Sequence, residues 1–275
     1  MRHVFVALCG LCWSGLLGVR PVQALGISIN QPVVQHSLSP GKTIQGSMEL
    51  VSHHDVPVHV SVYLEDWQYT PVGDGSKQFA PAQTLPRSCA GWVRFFPAQA
   101  DLPPHGRAVV DYTIHVPDDQ TLEGSYYAVL FFEATLGEAA GLGAKGSEDP
   151  EATVRFAARL GSLMIVDIEG TVRREARLSN LRLAPTPSKT VSLTASLVNE
   201  GNVHLRCEGS FHVLGEHEVV MGRGELPARY VWLGTAVPVE AEWSGTLSPG
   251  MYTFVATYDC GEEIIVVEEA PLSIR

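Results

Sequence analysis

The residues best suited to chemistry in this chain are a short acidic–aromatic run, ten histidines and five cysteines. Glu65-Asp66-Trp67 sets two carboxylates beside an indole, the components of a glycosidase or sugar-binding site. Consecutive strand residues point to opposite faces, however, and no partner carboxylate is identifiable. His53-His54 adjoins Asp55, with His59 on the following segment; adjacent strand histidines diverge in the same way, so a solvated turn is expected there. His212 and His217 flank a Gly-Glu turn with Glu216 and Glu218, which reads as a polar hairpin. Trp67, Trp92, Trp232 and Trp243 could stack on sugars, yet their spacing forms no platform. The sequence has no HExxH, no GxSxG and no phosphate-cradling glycine loop after its first 24 residues. We therefore expect no catalytic residue, no metal site, no cofactor and no enzymatic activity.

Positioning falls to β-strands. Apolar residues recur at period two, and Gly, Pro, Asn and Asp punctuate them. The first 24 residues read as a secretory signal: Arg2 and His3, an apolar core from Val4 to Val19, and Val22-Gln23-Ala24 before the cut. No later segment is apolar enough to span a membrane. The net charge of −11 becomes −13 once Arg2 and Arg20 leave with the signal. An acidic chain without basic clusters argues against nucleic acid and anionic membrane surfaces. The remaining length of about 250 residues suits two domains.

The first domain, 25–170, reads as seven strands: Ile27–Ser37, Thr43–Ser52, Val56–Tyr69, Gly91–Phe96, Ala108–Val116, Tyr126–Thr135 and Thr153–Glu169. Seven is the count of an immunoglobulin-like sandwich. Thr70 to Leu85, with its GDGSK, reads as a long polar loop. The second domain, 171–275, is a further β-sandwich, its strands near Leu178–Leu183, Val191–Val198, Val203–Leu214, Val219–Leu226, Ala236–Trp243, Met251–Tyr258 and Glu263–Val267. The fold class is all-β.

Three cysteines remain after the signal: Cys89, Cys207 and Cys260. An exported chain can oxidise two of them. Cys207 lies early in one strand and Cys260 at the end of another. In a sandwich those strands are antiparallel neighbours, so a Cys207–Cys260 disulfide is expected and Cys89 is the odd thiol.

The most informative stretch runs from Gly124 to Gly170. An apolar strand is followed by the polar loop LGEAAGLGAKGSEDPE and then a long strand. In that strand Val154, Phe156, Ala158 and Leu160 face one way, and Arg155, Ala157 and Arg159 face the other. Such a strand is either a buried sandwich strand or an edge built to pair with another chain.

Domain one resembles the amino-terminal domain of the periplasmic pilus-assembly chaperones (PapD-like). The matching text is SPGKTIQGSMELVSHHDVPVHVSVYLEDW, then WVRFFPAQADLPPHGRAVVDYTIHVP and GSYYAVLFFE, with the loop and alternating strand after it. The resemblance implies an exported, non-enzymatic binding factor that serves the assembly of surface or fimbrial proteins. In it the strand Thr153–Leu160 pairs with a client strand, while Arg155 and Arg159 hold a carboxylate or backbone. The family also uses a basic residue on its first strand, and Leu25–Ser37 contains none. The expected partner is an exported client or envelope protein, and the expected location is periplasmic or extracellular. Two other readings stand beside this one: an adhesive envelope module binding through loops such as 70–85, and a carbohydrate-binding accessory protein.

Overall fold

The computed structural model describes residues 26–140, 153–186 and 190–274, with side chains for all of these except 136–140 and 153–156. The expected signal segment and most of the loop before Thr153 lie outside the described residues.

The chain is all-β. Its first ten strands are β1 Ile27–Ile29, β2 Val33–Leu38, β3 Thr43–Ser52, β4 Val58–Tyr69, β5 Lys77–Pro81, β6 Val93–Phe96, β7 Gln99–Leu102, β8 Arg107–His115, β9 Ser125–Ala140 and β10 Thr153–Ile168. They form two facing sheets. One has the order β1-β3-β8-β6; the other runs β2-β10-β9-β4-β5, with β7 also paired to β4. Met48, Leu50, Ile114, Leu130, Phe132 and Met164 are sealed between them. Fully burying such a side chain contributes about 1.5–3 kcal/mol.

Two expectations are corrected here. Ile27–Ser37 is not one strand. Asn30 and Gln31 bend the chain, with Asn30 Oδ1 accepting from the Glu49 amide at 2.9 Å, and the two halves join opposite sheets. The stretch from Thr70 to Leu85 is not wholly loop. Its Lys77–Pro81 segment forms β5, pairing with Glu65–Tyr69 at the far end of the long β4.

The next seven strands are β11 Ala176–Pro185, β12 Val191–Asn199, β13 Leu205–Leu214, β14 Val220–Val231, β15 Ala236–Trp243, β16 Gly250–Asp259 and β17 Ile265–Ile274. They make a second pair of sheets, β11-β12-β15 and β14-β13-β16-β17, around Leu197, Val213, Val239, Phe254 and Tyr258. β13 and β16 pair antiparallel with Glu208 opposite Asp259, and the expected Cys207–Cys260 disulfide is formed there.

A third apolar cluster joins the two sandwiches. The outer face of the β9/β4 sheet contributes Trp67, Tyr69 and Tyr127, and the second sandwich brings Tyr230, Trp232 and Leu233. Tyr127 and Trp232 ring centres lie 4.4 Å apart, and Trp67 and Trp232 5.6 Å. This explains why β9 is buried on both faces. Its even residues fill the first core, and Tyr127, Val129 and Phe131 meet the outer cluster. Asn202 ties the connection down. Its side chain donates to the Thr171 carbonyl at 2.9 Å and accepts from the Arg173 amide at 2.7 Å. Gly73 closes the other side at φ +77°, where an added Cβ would lie 2.8 Å from Val237 Cβ; only glycine fits that approach.

Candidate partner-binding edge and groove

The first half of β10 lies on the edge of its sheet. β2 pairs with it in parallel, but only from Leu163↔Val33 to Ile168↔Leu38. The lane ends because Pro32 has no N–H to carry the ladder back toward Gly161. Among the described residues nothing pairs with that side of Thr153–Ser162. The direction of the backbone groups follows from two bonds. The Leu163 amide donates outward to the Pro32 carbonyl at 2.9 Å, and the Ile168 amide donates inward to the Gly124 carbonyl at 2.9 Å. Amides of successive strand residues alternate sides, so Ala157, Arg159 and Gly161 present their N–H and C=O groups to the open edge.

The side chains alternate across the sheet instead. Ala158 is buried and Leu160 packs against the same first core, while Ala157 and Arg159 lie exposed on the opposite face. Val154 and Arg155 pair with Ala139 and Glu138, and the register shifts between Arg155 and Ala157, at Phe156. The side chains of Val154, Arg155 and Phe156 lie outside the described residues.

Where the open lane meets β2 there is a groove of about 460 Å³. Phe79, Val129, Phe131 and Leu163 give it apolar surface, Pro32 and Val33 stand at its end, and Lys77 and Arg159 bring two cations. This volume is within the range of ligand pockets. Arg159 is held firmly. Its guanidinium carbon sits 3.4 Å from the Phe131 ring centre, with Tyr63 and Phe79 at 5.4 and 5.6 Å, and Nη2 contacts Glu65 Oε2 at 2.5 Å. Lys77 Nζ lies 5.3 Å from the Tyr69 ring centre and donates to the Gly75 carbonyl at 3.3 Å. Beside the groove, the Tyr63 hydroxyl donates to Glu133 at 2.6 Å. Burial first, and this hydrogen bond second, push its pKa up to about 12.

The other sequence candidates are dispersed. Asp66 points away from Glu65 and Trp67 and anchors a loop. It accepts from the amides of Gln83, Thr84 and Leu85 at 3.1, 2.8 and 2.9 Å and from the Ser88 hydroxyl at 2.5 Å. Trp67 and Trp232 belong to the cluster between the sandwiches, Trp92 packs on Tyr126, and Trp243 packs on Phe211. His59 pairs with Asp101 and His105 with Asp55 on the surface. No three His, Cys, Asp or Glu converge on a common point among the described residues. Cys89 is a fully buried thiol whose pKa burial pushes up strongly, as does the nearby Asp66 charge.

Sequence reasoning missed Lys77 and Phe79, the groove residues on β5. A signal was present: Asp74-Gly75 is a strong hairpin turn pair, and Lys77 and Phe79 follow it at period two.

No family model matches the sequence, and no curated protein matches it. Solved structures of fimbrial chaperones are similar to the chain, as the sequence resemblance suggested. The class 5 fimbriae chaperone CfaA is 10% identical with a TM-score of 0.45, covering 90% of this chain and 100% of that one. The SafB chaperone, in complex with the Salmonella enterica SafA pilin, is 11% identical with a TM-score of 0.44, covering 92% and 98%. The E. coli chaperone DraB is 8% identical with a TM-score of 0.44, covering 91% and 97%.

Proposed function

We propose that this protein is an exported, non-enzymatic binding factor that takes an extended strand of a client protein onto the open edge of β10. It is chaperone-like in the assembly of surface proteins. The observation that carries the reading is the edge itself: a strand that pairs with β2 along one half and leaves Ala157, Arg159 and Gly161 facing a lane that no described strand fills along the other. An extended client segment satisfies those groups by β-augmentation, and main-chain hydrogen bonds supply affinity largely independent of client sequence.

Direction follows from charge. A client strand running parallel to β10, as β2 does, brings its C-terminal end toward Pro32, beside Arg159 and Lys77. An antiparallel client would bring an ammonium group there, beside Lys77 and a guanidinium edge that can only donate, so neither can bind it. We therefore assign the carboxylate-holding role to Arg159 with Lys77, in place of the Arg155–Arg159 pair expected from sequence. We keep the division of the chain near Gly170, with the second sandwich bracing the face that carries the groove.

The test exploits edge geometry. Proline is tolerated where its missing N–H faces away from the sheet. Ala157→Pro removes a donor from the open edge while leaving the β9 ladder intact. Wild-type and variant protein, each expressed with its leader in the source cell, are captured from the envelope fraction. A partner recovered with wild type and lost with a variant of unchanged thermal unfolding is the expected result. A partner retained at equal yield by the variant refutes strand addition at this edge.

A further inference from the structure

Glu65 reaches from β4, across β9, to contact Arg159, a groove-lining residue on β10. The contact is unusual in its setting. The Arg159 guanidinium lies over the Phe131 ring and is flanked by Tyr63 and Phe79, so three rings hold it besides Glu65. What remains available is the polar edge of the guanidinium, which matches a carboxylate geometrically. Glu65 occupies part of that edge, and both side chains remain partly open to solvent, at 37% and 24%.

We propose that Glu65 is a built-in competitor for the client carboxylate. It fills, in the unoccupied protein, a position that a terminal carboxylate takes when the client binds. This rests on the strand-addition reading and adds to it a residue that sets selectivity. With Glu65 present, Arg159 is paired internally, and Lys77 is the cation of the groove lining that makes no ion pair among the described residues. A ligand bearing a carboxylate must displace Glu65 from the guanidinium or share it. A ligand ending in a neutral amide gains only an ordinary hydrogen bond from its carbonyl oxygen, without the full charge pairing of a carboxylate. Glu65 thereby lowers affinity for any free anion that drifts into the groove. It leaves the advantage to a carboxylate delivered by a strand already paired along Ala157–Gly161. Replacing Glu65 with glutamine removes the competing charge while preserving the side chain's size and its ability to lie over the same surface.

The test uses two synthetic nonapeptides of alternating valine and serine, one ending in a free carboxylate and one in an amide. Binding to the full chain is measured by isothermal titration for wild type, Glu65→Gln and Ala157→Pro. Near-ultraviolet circular dichroism serves as the check on folding. The expected result is that Glu65→Gln binds the acid peptide about fivefold more tightly, as removal of one nearby like charge implies at the near-water dielectric of these partly exposed side chains, and the amide peptide nearly unchanged. Ala157→Pro weakens both. Equal changes for both peptides, or none for either, overturn the role of Glu65 while leaving strand addition standing. If wild type, Glu65→Gln and Ala157→Pro all bind neither peptide, strand addition and the role of Glu65 fall together.

Discussion

Replacing Asp66 by asparagine tests the internal logic of the sandwich most sharply. Asp66 is fully buried, and its two oxygens divide four donors between them: Oδ1 accepts from Gln83 N and Ser88 Oγ, and Oδ2 accepts from Thr84 N and Leu85 N. An amide keeps only one oxygen. Its best orientation leaves that oxygen on the Thr84 and Leu85 amides, which cannot rotate, and turns the NH2 toward Gln83 and Ser88. The Ser88 hydroxyl can rotate to accept, but the Gln83 amide loses its partner. A donor stripped of its acceptor costs about 1–3 kcal/mol, and the surviving bonds lose their charge assistance. We expect Asp66→Asn to destabilise the first sandwich by about 2–3 kcal/mol. With a urea dependence of about 2 kcal/mol per molar, the unfolding midpoint falls by roughly 1 M. Cys89 supplies a second readout, because its backbone follows the anchored loop and its thiol is fully enclosed. If the loop opens locally, a thiol reagent reaches Cys89 at least tenfold faster under native conditions, since 1.4 kcal/mol of opening free energy corresponds to a factor of ten. An unchanged urea midpoint together with unchanged Cys89 reactivity would refute the view that Asp66 is a structural anchor, and would reopen a functional role for the acidic–aromatic run.

Removing the disulfide by Cys207→Ala with Cys260→Ala releases a loop of 53 residues and should cost the second sandwich about 4 kcal/mol, read as a shift of its own chemical-denaturation transition. His204 shares two contacts with the Tyr127 hydroxyl, at 3.0 Å from its amide and 3.1 Å from Nδ1. Burial is the main cause that holds its pKa down at about 4; nearby Arg174 and Lys77 add to this, and Asp167 opposes it. The unfolded chain therefore takes up this proton near pH 6.5 while the folded one waits until about 4. Stability present above pH 6.5 is lost as the pH falls through that window, by about 2–3 kcal/mol. His204→Gln should flatten this slope in urea titrations at pH 7 and 4.5; parallel losses in wild type and variant refute it. Trp232→Ala removes a partly buried ring packed against the cluster between the sandwiches and should lower stability by about 2–3 kcal/mol in differential scanning calorimetry, with the two sandwiches unfolding at more separated temperatures. Coincident transitions at the wild-type temperature would show that the cluster does not couple them.

Much of the architecture was legible because it depends on local pattern. Period-two apolar runs located most of the strands of the two sandwiches, and those runs bury one face almost residue for residue, as in Val58, Val60 and Val62 of β4. The disulfide was legible for a related reason: strand order in a sandwich places Cys207 and Cys260 at matching ends of neighbouring antiparallel strands. β7 was not legible, and β5 was announced only by the Asp74-Gly75 turn and the period-two Lys77 and Phe79. Each is four or five residues long and carries little apolar pattern, and both exist because the long β4 offers an unpaired edge to whichever nearby segment can reach it. The break in the first strand was equally hidden, since crossing from one sheet to the other depends on how the two sheets lie.

By itself, the sequence determined the all-β class, the pairing of two cysteines and the presence of a long strand with an alternating pattern at Ala157–Leu160. These follow from side-chain periodicity, which each strand carries in its own residues. Tertiary structure alone decided that β2 stops at Pro32, leaving the first half of β10 on an open edge, and that Ala158 and Leu160 turn inward. It also brought Lys77 and Arg159 to one groove and Glu65 against Arg159, from strands up to three positions apart in the sheet order, with Glu65 and Arg159 more than ninety residues apart in sequence. Which charge faces which depends on sheet register and on the second sandwich closing over the outer face, and neither is written in any single strand.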